Sequence, residues 1–148
     1  MDRRDWLLLF LALPLPNHPT PPALDPLRVM KGMFLLAQGA DLPHAQAYQF
    51  LPYLYGPCSF EIYHDLDGLV AAGLVAAEQP WGRSWHLYTP TAHGHREAEH
   101  LRGQVPRAAL DTLREIKQYV AFTPYRRLLR DVYRQYPEYA TQSVLTLR

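Results

Sequence analysis

Apolar and polar positions along this chain follow periods that divide it into helices, a pair of short strands and connectors. The stretch MDRRDWLLLFLALPLP contains an unbroken apolar run, Trp6–Leu13. Such a run predicts a short helix that is apolar on every face and buried between other elements. It is too short to span a bilayer. Asp2 and Asp5 offset Arg3 and Arg4, and no small-x-small pattern follows, which argues against a secretory leader. Residues 14–26, PLPNHPTPPALDP, are rich in proline and predict a stiff extended connector. Asp25 then serves as N-cap and Pro26 as first helical residue of the next helix. Leu27, Met30, Phe34 and Ala37 form its apolar stripe, Arg28 and Lys31 fall off that stripe, and Gly39 ends the helix.

Aromatic residues at near-alternate positions, Tyr48, Phe50, Tyr53 and Tyr55, predict a short extended segment interrupted by Pro52, with a turn at Gly56-Pro57. Ser59 is the expected N-cap of a third helix over 59–73. Ile62, Leu66, Leu69, Val70 and Gly73 trace its buried face. Residues 74–79 and 84–89 predict two strands joined by a turn at Pro80–Arg83. Thr91 caps a helix to about Arg102, and Gly103 breaks the chain. Residues 106–122 form an amphipathic helix with Ala109, Leu113, Ile116 and Val120 on one face. A further helix starts after Thr123-Pro124 and is interrupted by YPEYA. The tail TQSVLTLR receives no assignment.

The order helix, helix, extended segment, helix, two-stranded wing, helix predicts a mainly α fold with a small β-hairpin: a winged helix-turn-helix with extra N- and C-terminal helices. One domain is expected, with a winged core over about 26–102 and a helical extension over about 104–148. The stretch IYHDLDGLVAAGLV resembles the third helix of PadR-like winged-helix regulators through Ile62, Tyr63, Leu66, Leu69, Gly73, Leu74 and Val75. YTPTAHG is similar to the segment that closes such wings through Tyr88, Thr91 and Gly94, with Pro90 where those regulators carry Leu. FLPYLYGPCSFEI also resembles the entrance of Panacea-type antitoxin domains, through Phe50, Tyr53, Tyr55, Gly56, Pro57 and Ser59. The first resemblance implies a DNA-binding transcriptional regulator. The second implies an antitoxin-like or adaptor module acting on a protein partner.

Composition narrows the chemistry. The 148 residues are 48% hydrophobic, ample for a core, and the formal net charge is +1. No global basic field exists, so affinity for double-stranded DNA would need a local patch. Residues 59–75 contain no Lys or Arg and carry Glu61, Asp65 and Asp67. Carboxylates repel phosphates, so whole-helix insertion into a groove is disfavoured. DNA contacts are instead expected from Ser59, Tyr63 and His64 near the helix start and from Trp81 and Arg83 at the wing tip. Arg126, Arg130 and Arg134 recur every four residues and form a second candidate stripe. The competing reading has Tyr63 facing the core and both charge runs merely solvated.

No catalytic site, cofactor or metal is expected. There is no Gly-rich phosphate loop and no GxSxG, and His86, His93, His95 and His100 lack the Cys or Glu partners of a ligand set. The single Cys58 excludes an intramolecular disulfide and suits a reducing cytoplasm. Its place before a helix start favours a thiolate, which raises redox sensing, or pairing with His64, as alternatives to simple packing. Helix 106–122 would expose its apolar face if left alone. A homodimer through that helix and the apolar helix 6–13 is therefore expected.

Overall fold

A computed structural model of the chain describes residues 1–145. They form six α-helices and two antiparallel hairpins, with α1 at the centre. Helix α1, Arg3–Ala12, is opened by a reciprocal cap: Asp5 N–H donates to Asp2 Oδ1 at 2.8 Å, and Asp2 N–H donates to Asp5 Oδ2 at 3.0 Å. Trp6 through Leu13 are all buried, as the unbroken apolar run predicts. Each such side chain contributes roughly 1.5–3 kcal/mol on burial. The one polar atom among them, Trp6 Nε1, donates to Gln46 Oε1 at 2.9 Å.

Helix α2, Pro26–Gly39, starts at the expected cap, where Arg28 N–H donates to Asp25 Oδ1 at 2.9 Å. Its Gly32 meets the ring of Phe10 from α1. A Cβ on Gly32 would lie 2.4 Å from Phe10 Cζ, so only glycine fits under that ring. Val29 through Phe34 are buried without a break, and this corrects the single-stripe reading. Lys31 lies in that buried run, and its Nζ donates to the Pro57 carbonyl at 3.1 Å.

The segment before α3 is a hairpin, not one broken strand. Strands β1, Leu51–Tyr53, and β2, Gly56–Cys58, pair with Pro52 opposite Pro57, a pair in which neither residue has an N–H to offer. The turn falls at Leu54-Tyr55, two residues before the expected place, and Gly56 follows it at φ +91°. Helix α3, Phe60–Ala71, buries Ile62, Leu66 and Leu69, while Val70 is exposed. It closes through Gly73 at φ +74°, with Gly73 N–H bonded to Val70 O and Leu74 N–H to Leu69 O, both at 3.0 Å.

Strands β3, Val75–Glu78, and β4, Leu87–Pro90, then pair with Val75 opposite Pro90. Their connection spans 79–86 and is longer than the expected four-residue turn. Leu24 adds a bridge on the far side of β4: Leu24 N–H donates to Tyr88 O at 3.1 Å and Tyr88 N–H to Leu24 O at 2.8 Å. Thr91 explains the junction with α4, Ala92–Arg102. Its hydroxyl donates to Gly73 O at 2.6 Å and accepts from Gly94 N–H at 3.0 Å. A Cβ on Gly94 would sit 1.9 Å from Leu74 O. The Thr-x-x-Gly spacing is thus what lets α4 start directly on the turn that ends α3.

Helices α5, Arg107–Phe122, and α6, Tyr125–Gln135, complete the fold. The apolar face of α5 is spent within the chain, on α2 and α1, with Leu113 and Val120 fully buried. Of the expected α5–α1 dimer seam, Trp6–Leu13 are buried within the chain, while Arg3, Arg4 and Asp5 of α1 keep partial exposure. Lys117 is also fully buried, and its Nζ donates to Leu11 O at 2.9 Å and to Leu13 O at 2.6 Å. It closes the C-terminal end of α1 as Arg28 closes that of α5, through the carbonyls of Val120 and Thr123.

Candidate interaction surface

The acidic character of α3 has an internal explanation. Glu61 forms an ion pair with Arg3 at the start of α1. Asp65 accepts from Tyr48 Oη at 2.6 Å, and Arg4 donates to Gly68 O at 3.3 Å. The Arg3 guanidinium also lies over the Tyr48 ring, 5.3 Å from its centroid. Burial and the adjacent Asp65 push the Tyr48 hydroxyl far above its ordinary range, which keeps it a donor to that carboxylate. Glu61 thus pairs with the N-terminal helix, and Asp65 ties down the segment before β1. Asp67 remains exposed.

The candidate DNA contacts do not converge. Ser59 is 2% exposed, so the expectation that it meets a ligand is corrected. Its backbone N–H donates to Met30 Sδ at 3.2 Å, and its hydroxyl makes no cap bond although the residue holds the N-cap position. Tyr63 and His64 are exposed on α3, so the core-facing alternative for Tyr63 is also corrected. At the wing tip Trp81 is 99% exposed, and Arg83 lies over the Trp85 ring, 5.0 Å from its centroid. Arg126 and Arg134 are exposed on α6. Arg130 is half-buried, and its Nε is buried without an acceptor, so the three do not form one open stripe. Helix α6 rests on β2, whereas the wing leaves the opposite, C-terminal end of α3.

Cys58 is buried beside Lys31. Burial raises its thiol pKa and the lysine only partly opposes this, so the neutral thiol is favoured over the thiolate expected from the helix start. Among the described residues no hydrogen bond joins it to His64, and no three His, Cys, Asp or Glu side chains group to hold a metal. No helix among them is long and apolar enough to cross a membrane. A cleft of about 440 Å³ beside the α1 N-terminus is lined by Asp2, Arg3, Arg4, His44, Gln49 and Asp65. Arg3, Arg4 and Asp65 there are already engaged by the contacts above.

What the fold does assemble is an apolar surface. Leu51, Tyr53, Leu54 and Tyr55 of the β1–β2 hairpin and Phe60 and Tyr63 of α3 are all exposed by 40% or more. Tyr53 and Phe60 meet edge to face with centroids 5.1 Å apart. Val144, 59% exposed, extends the patch through its N–H bond to Leu54 O at 3.0 Å. Tyr125 borders Tyr55, and burial with that neighbour pushes its hydroxyl up to about 12. Large exposed side chains concentrated in one place mark binding surfaces, whereas single exposed ones are ordinary.

The aromatic alternation in the sequence could have revealed this surface, since Tyr53 and Tyr55 have no buried partner pattern of their own. The two buried lysines were missed as well. Lys117 had a signal: it sits four residues after Leu113 and three before Val120, on the apolar face itself. No family model matches the chain, and no curated protein matches it.

Proposed function

We propose that this chain is a winged-helix protein-interaction module, and that its working surface is the apolar patch of the β1–β2 hairpin and the start of α3. The winged-helix reading is supported by the succession α1, the Leu24 bridge to β4, α2, α3 and the β3–β4 hairpin. The observation that carries the interaction reading is the concentration of six exposed apolar side chains on residues 51–63, in a stretch without Lys or Arg. A DNA-binding surface needs cations to neutralise phosphates. An interface core instead needs aromatic and aliphatic side chains with little charge. Two α3 carboxylates are engaged with α1 and Tyr48, which supports a structural role for this helix over a groove-reading one.

One feature favours a second reading, a DNA-binding regulator that works through its wing: the fully exposed Trp81 close to Arg83. Site-specific photocrosslinking in cells separates the two. A photoreactive side chain at Phe60 is expected to give discrete protein adducts and one at Trp81 none to DNA. DNA adducts from Trp81, with no protein adduct from Phe60, would replace the interaction reading by the regulator.

A further inference from the structure

We infer that a cleft between α2, α5 and α6 is a small-molecule site for an amine with an apolar body. This site is separate from the hairpin patch and does not depend on it. The cleft holds about 310 Å³, and Leu35, Ile116 and Val132 form its apolar walls. That is the lower end of the roughly 300–1,000 Å³ typical of small-molecule pockets, which are mostly apolar with a few placed polar groups. The opening has a local cause. Gly39 lines the cleft one turn after Leu35, and a Cβ on it would meet nothing within 4 Å. Leu35, Ile116 and Tyr119 are left half-buried, although Ile116 belongs to the face that the sequence marks for burial.

The polar group in this setting is a carboxylate. Among the described residues that line the cleft, Asp131 alone is charged. Tyr119 Oη donates to Asp131 Oδ2. Burial and that carboxylate push the Tyr119 hydroxyl above its ordinary range, so it remains a donor and holds Asp131 in one orientation. Arg127 also approaches Oδ2, at 4.0 Å, but its side chain is 71% exposed, and so loose a surface pair neutralises little. Among the described residues nothing donates to Oδ1. A neutral apolar occupant would cover that oxygen and leave it unpaired, which is costly. An anion would be repelled. An ammonium group supplies N–H donors to Oδ1 while its hydrocarbon part lies against Leu35, Ile116 and Val132. The larger cleft beside α1 differs, because Arg3, Arg4 and Asp65 there are engaged within the chain.

The test titrates phenethylamine and its neutral isostere phenethyl alcohol into the full chain, followed by backbone amide NMR. The amine is expected to shift the amides around Gly39, Ile116 and Asp131 saturably, with a Kd on the order of 1 mM for so few atoms. The alcohol should bind roughly tenfold more weakly. Asp131→Asn keeps an acceptor for Tyr119 but removes the charge; it should weaken the amine roughly tenfold and leave the alcohol unchanged. Gly39→Leu fills the cleft and should abolish both. Each variant is first shown to melt cooperatively, and where one fails to fold the other decides. Equal binding of alcohol and amine, or an amine affinity that Asp131→Asn does not change, would overturn the cationic ligand. Shifts that lie outside the cleft, or no saturable shift up to roughly 10 mM amine, would overturn the site itself. Either failure leaves the reading of the hairpin patch untouched.

Discussion

Replacing Lys117 by Met tests how the centre of this fold is held. Lys117 is 0% exposed, and its two hydrogen bonds run to the last carbonyls of a helix that is itself buried. Burial lowers its pKa from 10.5 to about 7. Below pH 7 the lysine is charged in both the folded and the unfolded chain, and the full desolvation penalty opposes folding. Between about 7 and 10.5 the unfolded chain holds a proton that the folded chain has released, so stability rises with pH. A depression of this size corresponds to on the order of 4–5 kcal/mol in total, of which roughly 2–3 kcal/mol is recovered between pH 6 and pH 9.

Lys117→Met abolishes that titration and leaves Leu11 O and Leu13 O without donors, at about 1–3 kcal/mol each. The removed penalty offsets most of this loss at pH 6 and only about 2 kcal/mol of it at pH 9. The stability gap between the two chains should therefore widen by roughly 2–3 kcal/mol over that range. Urea unfolding at fixed ionic strength, followed by the fluorescence of buried Trp6, measures it. Lys31, lowered to about 8 mainly by burial, adds a rise of the same sign, and Cys58, raised by burial, opposes it as pH passes the ordinary thiol range. Both are common to the two chains and cancel in the difference. A gap that stays constant within about 0.5 kcal/mol, roughly the additivity limit for independent sites, would refute the claim that Lys117 carries the penalty.

Further outcomes follow from single contacts. Gly94→Ala drives a Cβ into the Leu74 carbonyl, so thermal melts should show a loss of roughly 3 kcal/mol or no folded protein, whereas Gly39→Ala, with open space at its Cβ, should change stability by less than about 1 kcal/mol. Cys58 should react with an aromatic disulfide reagent no faster than the chain opens, because its thiol is buried and its pKa raised; immediate stoichiometric labelling of the folded protein would contradict this. Tyr48→Phe leaves Asp65 without its hydroxyl donor and should cost about 1–2 kcal/mol in denaturant unfolding; no loss would mean that this bond does not help hold the 40–50 segment to α3.

Local chemistry was legible in the sequence where one residue type has one use. Asp25-Pro26, Gly73 and Thr91 start or stop helices where expected, because each exploits a backbone rule that tertiary context did not override. The buried α1 was legible from its unbroken apolar run. The hairpin at 51–58 was not. Pro52 and Pro57 read as breakers, and only their pairing opposite one another makes them compatible with a ladder. Lys31 failed for a different reason. A single stripe assumes one buried face, yet α2 packs on α5 and β2 and meets the Phe10 ring, and it draws in a residue from outside the stripe.

The candidate site shows the same limit. Charge along α3 could be counted from the sequence, but whether those charges face a partner depended on residues nearly sixty positions away. Arg3 takes up Glu61 and Tyr48 takes up Asp65, so the acidic helix is tied to α1 and to the segment before β1. Besides Glu61, the exposed residues of α3 are Phe60, Tyr63, His64, Asp67, Val70 and Ala71, and the first of them adjoin an uncharged hairpin. Two of its three carboxylates have partners inside the chain, and this supports the proposed protein-interaction surface over a groove-reading helix.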